Sequence, residues 1–79
     1  MIYGIRTVTG SLYEVDFKKR IWRRKMDDLG TMIVGSFMSC SMPKEGQKMC
    51  LICPPYPGHK GTRMILTPIV ATVITYGDD

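Results

Sequence analysis

Residues 2–16, IYGIRTVTGSLYEVD, are rich in β-branched and aromatic side chains and are interrupted once, at Thr9-Gly10-Ser11. Such side chains suit a pleated surface, and a short glycine-bearing break between two such runs is the pattern of a β-hairpin. This feature constrains the chain most, because an isolated hairpin is barely stable in water and requires more strands around it. The pattern predicts strands over about residues 2–8 and 11–16. In the second, Tyr13, Val15 and Phe17 share one face while Glu14 and Asp16 share the other, so one side is expected dry and one wet.

More strand-like runs follow. Residues 31–42 alternate, with Met32, Val34, Met38, Cys40 and Met42 on the apolar face and Ile33 and Phe37 interrupting the polar one. PKEG at 43–46 reads as a turn, QKMCLIC at 47–53 as a strand, and PPYPGHKG at 54–61 as a proline-stiffened loop. TRMIL and PIVATVITY come next, and Pro68 predicts a break or an edge position between them. Five or six short antiparallel strands predict an all-β domain over residues 1–79, either a small SH3-like barrel or a compact sandwich. The seven methionines are expected mainly as core filler.

KKRIWRRK at 18–25 is harder to place. As a helix, Phe17, Ile21, Met26 and Leu29 would share a face, with Asp16 as the cap. Lys18 and Lys19 would then meet the positive end of the helix dipole, and Asp27 and Asp28 the negative end; both arrangements are unfavourable. A strand from Arg20 to Lys25 avoids this and is the expectation, with Trp22 facing the same way as Arg20 and Arg24.

Six of the eleven cationic residues lie in this stretch, and the remaining chain carries five cations against seven anions. The net charge of +4 is therefore local. A track for a phosphate backbone needs cations spread along a surface. Here Glu14, Asp16, Asp27 and Asp28 flank the run instead, so a self-compensated edge is one expectation. The functional expectation is an outward-facing Trp22 framed by Arg20, Arg23 and Arg24, since tryptophan and arginine dominate interface hot spots. The loop around Tyr56 and His59 is the second candidate contact.

Cys40, Cys50, Cys53 and His59 form a Cys-x9-Cys-x2-Cys-x5-His series, a possible set of soft zinc ligands. Leu51 and Ile52 favour an extended segment with Cys50 and Cys53 on opposite faces, so the expectation is small hydrophobes and no bound metal. No cofactor is expected. An odd cysteine count and an N-terminus without a leader-like layout predict reduced thiols and a cytoplasmic location. No apolar run reaches the roughly 18 residues of a membrane span. So short a chain is expected to lack the deep pocket of an enzyme.

RTVTGSLYEVD, RIWRRK and TPIVATVI together resemble small β-rich accessory proteins of actinobacterial phages, over about half of the chain. The resemblance implies a non-enzymatic role in an infected cell, such as binding a host factor or a defence component. A host protein is thus the expected partner. Sequence-indifferent nucleic-acid binding and a structural role in the virion are the alternatives, and exposed strand edges would allow a homo-oligomer.

Overall fold

The computed structural model describes residues 1–26 and 29–77. Asp27 and Asp28, two of the acids expected to flank the basic run, lie outside the described residues, as do the last two aspartates. The chain forms seven strands: β1 (Ile2–Thr7), β2 (Leu12–Asp16), β3 (Ile21–Lys25), β4 (Met32–Ser36), β5 (Ser39–Cys40), β6 (Lys48–Cys53) and β7 (Arg63–Tyr76). They make one sheet in the order β4-β3-β2-β1-β7-β6-β5, antiparallel at every step. The all-β expectation holds, with more strands than expected.

The first hairpin turns where the sequence breaks. Gly10 takes a φ of 89°, and its N–H donates to the Thr7 carbonyl at 2.9 Å. Only glycine enters that region without a steric cost. Within the basic run Lys18 to Arg20 form a turn and Ile21–Lys25 is a strand, in keeping with the dipole argument against a helix, and β3 pairs with β2 through Trp22↔Val15 and Arg23↔Glu14.

β7 corrects the reading of Pro68, because the strand runs through it. Met49 faces both Thr67 and Pro68 at a register shift against β6, and a bulge is one of the few places where a strand tolerates proline. Thr67, itself buried, completes the local bonding. Its hydroxyl accepts from the Met49 N–H at 2.9 Å and donates to the Pro68 carbonyl at 2.8 Å. A second shift, opposite Arg6 and Thr7, bends the strand again. Bent twice, β7 serves β6 with its first half and β1 with its second.

A single sheet buries an apolar face by curling on itself. Val15, Leu51 and Cys53 are fully enclosed, with Ile5, Tyr13, Phe37, Met49 and Val70 around them. The chain passes from one sheet edge to the other through Phe37 and Met38. The Phe37 N–H donates to the Arg20 carbonyl at 3.0 Å and the Met38 N–H to the Ile52 carbonyl at 2.7 Å. The ladder nevertheless stays open, with β4 and β5 as its edges, so it is not a closed barrel.

Two expectations about faces fail. Phe37 is the buried residue of the 31–42 run, whereas Met32, Val34, Met38 and Met42 are exposed. Trp22 pairs with Gly35 and Arg24 with Ile33, so the alternate set shares the face of Trp22, although Ile33 stays exposed. Nor are the methionines core filler. Met49 is buried and the other six are exposed.

Candidate functional site

The basic run is anchored residue by residue. Asp16, expected on the wet face, is instead buried at the turn, where its Oδ1 accepts from the N–H groups of Lys18 and Lys19 at 3.0 and 3.1 Å. These bonds, that of Lys19 foremost, hold its carboxyl below the usual 3.8. Arg20 occupies left-handed backbone at φ 56°, and its Nη1 donates to the Met38 carbonyl. Arg23 pairs with Glu14 at 3.3 Å, and Glu14 also accepts from the Tyr76 hydroxyl. Arg24 lies over the Tyr13 ring at 5.7 Å. Each of these three arginines thus has its own neighbour.

The expectation of an outward-facing Trp22 is overturned. The indole is only 8 % exposed and lies across Gly35. A Cβ at Gly35 would stand 2.7 Å from Cε2, Cζ2 and Nε1 of that ring, so the pairing of the largest side chain with none is a steric requirement. The indole N–H is buried and has no hydrogen-bond partner among the described residues. An unmade bond of this kind costs about 1–3 kcal/mol, and a fold that retains one calls for an explanation.

Trp22 and Gly35 line a groove of about 630 Å³, together with Ile33, Val34, Tyr56, Arg63, Met64 and Ile65. That is within the range of about 300–1,000 Å³ typical of ligand sites, larger than the chain length suggested. One wall is the β3–β4 hairpin. The other is the first half of β7 with the preceding loop. The loop presents Tyr56 on a tight turn, in which the His59 N–H donates to the Tyr56 carbonyl at 2.9 Å. Gly58 sits at φ 80° after Pro57, the arrangement of a type II turn. The His59 ring meets the Tyr56 ring edge-on at 6.3 Å, and the Arg63 guanidinium stacks on Tyr56 at 4.0 Å. Arg63 Nε donates to the Pro54 carbonyl at 2.9 Å, which fixes the cation's plane.

Two candidate contacts, Trp22 and Tyr56, therefore meet in one groove, while Arg20, Arg23 and Arg24 are not among its lining residues. Gly35 and Arg63 are the additions. Arg63 could have been suspected as the arginine that closely follows the YPGHKG loop, but Gly35 matters only once the β3–β4 register is known.

Cys50 and Cys53 fall on opposite faces of β6, as expected, and Cys53 is enclosed. Burial pushes the Cys40 thiol up to about 11, with Cys50 and Cys53 adding to the effect. Among the described residues, no group of three or more His, Cys, Asp or Glu side chains is placed to hold a metal ion. No described helix is long and apolar enough to cross a membrane. No family model, no curated protein and no solved structure matches this chain.

Proposed function

We propose that this protein is a non-catalytic binding module that grips another protein through the groove between β4 and the first half of β7. The observation that carries this reading is a groove that holds an arginine stacked on a tyrosine and is walled by Trp22, whose unpartnered N–H lies sealed beneath Gly35. Aromatic and arginine side chains together are the usual energetic centre of protein interfaces. Tyr56 supplies the exposed anchor and His59 steadies it, with Arg20, Arg23 and Arg24 as outlying charges. The resemblance to phage accessory proteins suggests a host-cell protein as the partner and the host cytoplasm as the place of action. Separate local contacts for the three arginines favour a protein partner over nucleic acid, which rewards a continuous cationic track.

The test is affinity capture from bacterial lysate, with and without nuclease, using the wild type and the Tyr56→Ala and Arg63→Glu variants. A nuclease-resistant partner that both variants lose is the expected result. Retention of every partner by both variants, or loss of all capture after nuclease, would overturn the reading.

A further inference from the structure

We propose that the groove receives an extended, acidic peptide segment. One apolar side chain enters between Ile33 and Ile65, a main-chain carbonyl accepts from the Trp22 indole N–H, and a carboxylate meets the terminal nitrogens of Arg63. This rests on the groove being the contact site and adds the chemistry of its occupant.

Three observations define that chemistry. First, the indole can only donate, so its missing partner is an acceptor. The atom is sealed under Gly35, and an acceptor reaches it by displacing a wall. β4 is the wall that gives, because it is an edge strand laddered to β3 alone. Second, Arg63 is pre-set. Its Nε is occupied by the Pro54 carbonyl and its plane is stacked on Tyr56, while its terminal nitrogens have no partner among the described residues. A fixed planar fork matches a carboxylate, and Arg63 is the one charged side chain among the described residues of the lining. Third, Ile33, Val34, Met64 and Ile65 make the remaining lining apolar. An extended chain offers carbonyls and alternating side chains to such a lining and adapts to walls that are strand flanks.

The test uses the ¹⁵N-labelled full chain, whose single tryptophan gives one indole cross-peak. It is titrated with short acetylated and amidated peptides in which a central leucine is flanked by Glu, by Gln or by Lys, and separately with oligothymidylate. The Glu peptides are expected to move the indole peak downfield and to bind at least about tenfold more tightly than the Gln peptides. Arg63→Gln should erase that difference. Equal binding of Gln or Lys peptides with the same indole shift overturns the acidic preference and leaves the groove reading standing. Glu peptides that shift the amides of residues 18–25 but leave the indole peak still overturn both. So does an indole shift with oligothymidylate alone, or no binding by any probe.

Discussion

Gly35→Ala tests the packing on which the groove depends. The added Cβ would lie 2.7 Å from three atoms of the Trp22 indole, whereas carbon contacts are normally about 3.5–4.0 Å. The indole is a rigid bicycle and 92 % buried, so it cannot swing aside as a flexible chain end would. Either the ring or β4 must shift by about 1 Å to restore that contact distance. Overpacking of this kind costs about 1–3 kcal/mol. Alanine recovers about 0.5–1 kcal/mol through the backbone freedom that glycine loses in a strand. The net expectation is a loss centred on about 1 kcal/mol, which lowers Tm by about 4–8 °C in a domain of this size. Gly4→Ala is the control. Its new Cβ would meet Ile74 Cγ1 at 3.0 Å and Tyr76 Cε1 at 3.2 Å, both on exposed side chains that can yield. That variant should stay within about 0.5 kcal/mol of wild type. Thermal melts by circular dichroism, with tryptophan emission alongside, read both variants. A Gly35→Ala protein that melts at or above the wild-type temperature with unchanged emission would refute the reasoning.

Three further outcomes are expected. Thr67→Val leaves the buried Met49 N–H without its acceptor and should cost about 1–3 kcal/mol by urea unfolding, with the slope unchanged. The lowered Asp16 pKa contributes stability that is present above the unfolded-state value near 3.8 and is lost as pH falls through the still lower folded-state value. Melts between pH 5 and 2 should therefore fall more steeply for wild type than for Asp16→Asn, and parallel curves would count against the turn bonds. The Tyr76 hydroxyl donates to Glu14, and this bond, with burial and the carboxylate charge behind it, pushes its pKa up to about 12. An ultraviolet titration should show one tyrosine ionising about there in wild type, and nearer 10 in Glu14→Gln.

Local chemistry was legible without coordinates where it was short-ranged. The Gly10 hairpin, the strand through Trp22 and the opposite faces of Cys50 and Cys53 follow from backbone preference, dipole arithmetic and the two-residue period of a strand. Pro68 misled because a bulge removes the need for its absent N–H, and no local pattern announces the register shift opposite Met49. In 31–42 both faces carry large apolar residues, so alternation alone cannot say which turns inward.

What the sequence by itself determined is a set of short antiparallel strands and the turns that join them, since those depend on neighbours a few residues apart. The tertiary structure decided which faces are buried, that Trp22 lies across Gly35, and that residues 22, 35, 56 and 63 share a groove. The physical reason is the curl of the sheet. Burying one apolar face forces distant strands together, and only the register of that closure selects which side chains meet.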